Sequence, residues 1–163
     1  MEYNYFVYTK PECGVKINKM PKWYKEIEYL GDEKQGSINL HTENEYDEIW
    51  GPVSKMEVSW EKKERMNFFY YKEVQNSIDV YNAIGIVVTE KKRDWLRSHE
   101  ITFWLGHRNK MMRKRYYTEK AIHCIFYCDL TERLFNVHTL VIGEAFENFK
   151  PYILNSYNSI ECH

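Results

Sequence analysis

The stretch Ala121–Val141, AIHCIFYCDLTERLFNVHTLV, constrains this chain more than any other. Two runs of aromatic and β-branched residues flank the polar segment Asp129–Glu132, which predicts a β-hairpin. With Leu130 and Thr131 at the turn, Cys124 faces Val137, Phe126 faces Phe135 and His123 faces His138. Side chains alternate along a strand. One face therefore carries Cys124, Phe126, Cys128, Phe135, Val137 and Thr139, which is core material. The other carries His123, Ile125, Tyr127, Leu134, Asn136 and His138, a mixed set. A slip of one residue would exchange the faces and break the histidine pair.

The remaining segments supply partners for such a hairpin. Asn4–Tyr8, Ser37–Thr42, Lys55–Trp60 and Glu100–Leu105 alternate as strands, and Ile86–Thr89 is a short β-branched run. Met56, Val58 and Trp60 point inward in KMEVSW. Trp23, Ile27 and Leu30 stand at helical spacing, which predicts one or two helical turns. Asn67–Ile84 reads as the longest helix, with Val74, Ile78, Tyr81 and Ile84 as its stripe and Gly85 as its cap. Lys91–Asp94 reads as a polar link. Glu144–Asn155 is a closing helix that Pro151 is expected to kink or split, and Asn158–His163 a last strand. Residues 1–163 thus form one domain of the α/β (α+β) class: a mostly antiparallel sheet with two main helices packed on it.

This layout resembles the PsbP-like fold, known from the extrinsic photosystem subunit. The resemblance rests on the early Pro21-Lys22-Trp23, on Gly36-Ser37-Ile38, on KMEVSW followed by a helix, and on a meander ending in a hairpin. A closing helix then leads to Ile153-Leu154-Asn155-Ser156 and Ser159-Ile160. It implies a binding or assembly role rather than catalysis. The terminal Cys162-His163 is not part of that pattern. A START-like helix-grip fold is the competing layout, and Pro151 tells against it.

Three classes of function follow. The segment Arg108–Arg115 is basic, with Arg108, Lys110, Arg113, Lys114 and Arg115, and runs into Tyr116 and Tyr117. It predicts a surface that docks a protein partner electrostatically, in a small non-catalytic binding or adaptor domain. The same basic-then-aromatic order suits nucleic acid. The formal net charge of −1 and the acidic residues Glu43, Glu45, Asp47 and Glu48 argue against that use. The third class is a metal-binding protein or metal-dependent hydrolase, with His123, His138 and His163 converging on zinc; otherwise no cofactor is expected. Cys124 and Cys128 lie ~13 Å apart along one strand and cannot bridge each other. All four cysteines read as reduced, with Cys13 in a loop that leaves its exposure open. GxSxG, GxGxxG and phosphate-cradling GKS/GKT motifs are absent, which leans away from enzymes. No apolar run reaches the ~18 residues of a membrane span, so a cytoplasmic protein is expected.

Overall fold

A computed structural model describes residues 4–96 and 98–163. The strands are β1 (Tyr5–Lys10), β2 (Val15–Pro21), β3 (Tyr24–Gly31), β4 (Gln35–Thr42), β5 (Glu45–Asp47), β6 (Gly51–Pro52), β7 (Ser54–Lys62), β8 (Val87–Leu96), β9 (His99–Met112), β10 (Arg115–Cys128), β11 (Arg133–Ile142) and β12 (Ile160–Glu161). Helix α1 spans Tyr70–Ala83 and α2 spans Phe146–Tyr157. Seven strands form an antiparallel sheet in the order β3-β4-β7-β11-β10-β9-β8. A second sheet, β1-β2-β12, lies over one face of it.

The β10–β11 hairpin sits near the middle of the large sheet, and its register is the expected one: His123↔His138, Cys124↔Val137 and Phe126↔Phe135. Both of its faces are covered. Cys124, Phe126, Phe135 and Val137 join the main core with α2 and the small sheet. Ile125, Tyr127 and Leu134 form a second core with Val74, Ile78 and Tyr81 of α1. The helices thus lie on opposite faces of the large sheet. Two helices packed on a mostly antiparallel sheet is the architecture expected.

Helix α1 ends where glycine permits it. Gly85 takes φ +85°. Its N–H donates to Asn82 O, and the N–H of Ile86 reaches back to Tyr81 O, which closes a Schellman motif. Ile84, expected in the buried stripe, is the C-cap residue and is exposed, because the chain has begun to leave the helix there. Ile86 takes the core position instead.

Three expectations for local structure are corrected. Trp23–Leu30 is not helical: Tyr24–Gly31 is the edge strand β3. A bulge between Glu26 and Glu28 breaks its alternation and turns Ile27 out to solvent, which leaves a false helical spacing. Lys91–Asp94 is not a link but part of β8 at the opposite edge. Charged residues at both edges block pairing with other strands. Pro151 does not split α2, which runs unbroken from Phe146 to Tyr157. Pro151 and Glu147 are both exposed, so the carbonyl that loses its N–H partner belongs to the outer side of α2.

Gly36 marks a close approach of the β3–β4 hairpin to Trp60. A Cβ there would stand 2.5 Å from both Leu30 O and the Trp60 ring. Trp60 cannot yield, because its Nε1–H donates to Asp32 O at 2.8 Å and its ring is buried. Gly36→Ala is expected to lower stability by about 2 kcal/mol in urea unfolding. A loss below ~0.5 kcal/mol would show that the turn relaxes freely.

Candidate functional site

The basic segment forms the β9–β10 turn and the strand ends beside it. Arg113 and Lys114 occupy the turn itself with positive φ. Lys110, Arg113, Lys114 and Tyr116 are exposed, and Met111 lies among them. Lys110, Arg113 and Lys114 make no ion pair among the described residues.

Three of the expected residues are tied into the fold to different degrees. Arg108 Nε donates to the buried Glu119 carboxylate at 2.8 Å, and its Nη1 donates to Ile84 O at 2.7 Å. The guanidinium thereby also favours the C-terminal end of α1. Tyr117 is buried: its hydroxyl donates to Asp47 Oδ2 at 2.8 Å, and Trp50 stacks on its ring at 5.2 Å. Arg115 approaches the same carboxylate at 3.8 Å. Asp47 also accepts the backbone N–H groups of Ile49 and Trp50, and these bonds hold its pKa below the usual carboxylate range. The acidic segment is therefore latched beside the base of the basic hairpin.

The structure does not bring the three expected histidines together. His123 and His138 lie on the α1 face of the hairpin, and His163 packs with Cys128 on the opposite face. His123 and His138 meet at Tyr81. Tyr81 Oη lies 2.9 Å from His123 Nδ1 and is also hydrogen bonded to His138 Nδ1. His123 Nε2 is 2.8 Å from Asn136 Oδ1. Asn136 Oδ1 only accepts, so His123 carries its proton on Nε2 and accepts the Tyr81 proton on Nδ1. His138 must then donate its Nδ1–H to Tyr81 Oη. The Trp104 ring stacks on His123 at 4.3 Å. Burial pushes His123 down to about 3, with His138 adding to the shift, and pushes His138 down to about 4, with Arg108 adding to it. Both are held neutral, with both nitrogens of His123 and Nδ1 of His138 engaged, an arrangement that holds α1 to the sheet.

A different cluster forms at the far end of the hairpin. His99 opens β9, Cys128 closes β10, and Cys162 and His163 follow β12. One donor atom from each lies within 4.8 Å of all the others. His163 Nδ1 is 3.2 Å from Cys162 Sγ and 3.4 Å from Cys128 Sγ, and His99 Nε2 is 3.5 Å from Cys162 Sγ. Cys128 and Cys162 form a disulfide with their Cα atoms 6.5 Å apart, so these two are not the separate reduced thiols expected. Cys13 and Cys124 are free and fully buried. Burial raises both thiols, which makes them poor nucleophiles.

Arg133 locks the backbone around this cluster. It is buried, and all five of its N–H groups are used. Nη1 donates to Cys13 O and to Glu33 O at 3.1 Å. Nη2 donates to Gly14 O at 3.0 Å and to Cys162 O at 2.8 Å, and Nε donates to Thr131 Oγ1 at 3.1 Å. Sequence reasoning singled out Cys162-His163 as unusual but missed His99, Cys128 and Arg133. Their sequence distances give no spacing signal. The only local hint was that Cys128 and Cys162 each stand at a strand end.

No family model matches the chain, and no curated protein matches it by sequence. Among solved structures it is similar to the solution structure of cyanobacterial PsbP (CyanoP) from Synechocystis sp. PCC 6803. The TM-score is 0.62 at 9% identity, over 97% of this chain and 92% of that one. Agreement over nearly the whole of both chains, with two helices on a mostly antiparallel sheet, shows that the fold of this chain is PsbP-like.

Proposed function

We propose that this protein is a non-catalytic binding domain that engages an acidic protein partner through the tip of the β9–β10 hairpin. The observation that carries the reading is the exposed cation set Lys110, Arg113 and Lys114, without ion pairs among the described residues and flanked by the exposed Met111 and Tyr116. Elsewhere on the hairpin, charge is spent internally, as with Arg108 on Glu119. Unpaired cations beside an exposed aromatic ring supply long-range attraction and a contact surface together. The PsbP-like fold, commonly that of a protein-interacting module, supports the same direction.

Charge reversal tests this reading. Lys110→Glu, Arg113→Glu and Lys114→Glu together are expected to weaken capture of the partner from a lysate of the source organism at least ~10-fold. Raising salt from 50 to 300 mM is expected to weaken wild-type capture in the same direction. All three sites are exposed, so the fold is expected to stay intact. Equal capture by wild type and variant would remove the reading. Tight binding of single-stranded oligonucleotide, lost in the same variant, would replace the protein partner with nucleic acid.

A further inference from the structure

We infer that His99, Cys128, Cys162 and His163 form a zinc site when the two cysteines are reduced, and that peroxide converts this site to the disulfide and expels the ion. The inference goes beyond partner binding and rests on other residues. The cluster lies about 40 Å from the basic tip along β10, by the rise of a strand.

The donor set is the first argument. Two thiolates and two imidazoles are the Cys₂His₂ set of structural zinc sites, and a tetrahedral S₂N₂ site selects zinc among the common divalent ions. Geometry is the second. With Zn–S ~2.3 Å and Zn–N ~2.0 Å, a tetrahedron has N···S edges of ~3.5 Å and an S···S edge of ~3.8 Å. Three of the four N···S separations, 3.2, 3.4 and 3.5 Å, already match those edges. The four donor atoms lie within 4.8 Å of one another, and the two sulfurs must part from bonded contact to ~3.8 Å, a movement in the direction of χ1 rotation. A Cα separation of 6.5 Å accommodates the bonded form, near the upper end of the usual range.

Preorganisation is the third argument. Cys162 is held from two sides without help from its sulfur. Ile160 and Glu161 pair with Ile17 and Lys16 of β2, and Arg133 holds the Cys162 carbonyl. Cys128 is fixed by the Cys128↔Arg133 pair that closes the hairpin, and His99 by pairing with Leu96 and by the Phe126 ring against its own. The site also has an approach. His163 is exposed and lines an open groove with Thr131, Arg133 and Cys162, so ion and oxidant reach it from solvent.

The two states exclude each other, because a sulfur in a disulfide is no longer a thiolate donor. Oxidation takes two electrons from the two thiolates and forms the S–S bond. The O–O bond of hydrogen peroxide breaks, two protons come from solvent, and two waters and one Zn²⁺ leave. A dithiol reductant returns two electrons to the disulfide and restores both thiolates.

The test uses the full chain, reduced and freed of metal, then titrated with Zn²⁺ against a chromophoric chelator and with Co²⁺ as a spectral probe. One ion per chain is expected, with a thiolate-to-cobalt charge-transfer band and the intense d–d bands of a tetrahedral site. One equivalent of peroxide is expected to abolish both, and reductant to restore them. Cys128→Ser is expected to halve the charge-transfer intensity and to weaken zinc at least ~100-fold. His107→Ala, an exposed histidine outside the cluster, is expected to change neither. A reduced wild-type chain that binds no stoichiometric metal would overturn the proposal whatever the variants do. So would binding that persists unchanged after peroxide or in Cys128→Ser.

Discussion

Arg133→Ala is expected to lower unfolding stability by about 3–5 kcal/mol, the largest single-residue effect in the chain. The guanidinium is buried and donates to four backbone carbonyls and one hydroxyl. Those carbonyls belong to three segments remote in sequence: Cys13–Gly14, Glu33 and Cys162. Truncation leaves all four without their donor and opens the space the side chain filled. Each unmade hydrogen bond at a buried carbonyl costs about 1 kcal/mol or more, and water from the adjoining groove offsets part of that. Arg133→Lys is expected to recover less than half, because an ammonium has three donors and lacks the planar fork. Urea unfolding of the three proteins reads the result. A loss under 1 kcal/mol in Arg133→Ala would show that these loops hold together without the clasp.

The second large effect is a loss of about 3–4 kcal/mol between pH 7 and pH 5. His123 and His138 are pushed down to about 3 and 4, against an ordinary histidine value near 6.5. Below 6.5 the unfolded chain binds protons that the folded chain refuses. Stability is therefore fully present above about 6.5 and falls as pH drops towards 4. Each histidine contributes up to about 2 kcal/mol of that loss by pH 5. His41, half-buried beside Lys55, shifts in the same direction. The geometry explains why protonation is resisted. Tyr81 donates its hydroxyl proton to His123 Nδ1, so protonating that nitrogen would set a donor against a donor. Unfolding at a series of pH values reads the slope, and imidazole NMR reads the two rings directly. Rings of His123 and His138 that titrate near pH 6.5 in the folded chain would contradict this.

These two effects come from opposite ends of what the sequence reveals. The β10–β11 register was legible because both runs are strongly apolar and a polar turn separates them, so only one pairing buries both faces. Strand β7 was legible because one face is core and the other is not. Strands β3 and β8 were not, because edge strands need no clean apolar alternation, and a bulge at Ile27 produced a helical spacing by accident. Neither the Tyr81 relay nor the Cys–His cluster had a spacing to read. The first joins α1 to a hairpin some 40–60 residues later, and the second joins β9, β10 and the last residues. Once the hairpin register is known, parity alone separates them: His123 and Cys128 point to opposite faces.

We propose that the β9–β10 tip is the surface that meets a partner. Site-specific photocrosslinking tests it most directly. A benzophenone side chain is placed at Tyr116 on the tip, or at the exposed Phe69 before α1. The account predicts one discrete covalent adduct in a lysate of the source organism from position 116, diminished by salt, and none from position 69. An adduct from position 69 with none from position 116 would move the binding surface to the other end of the molecule and contradict the account.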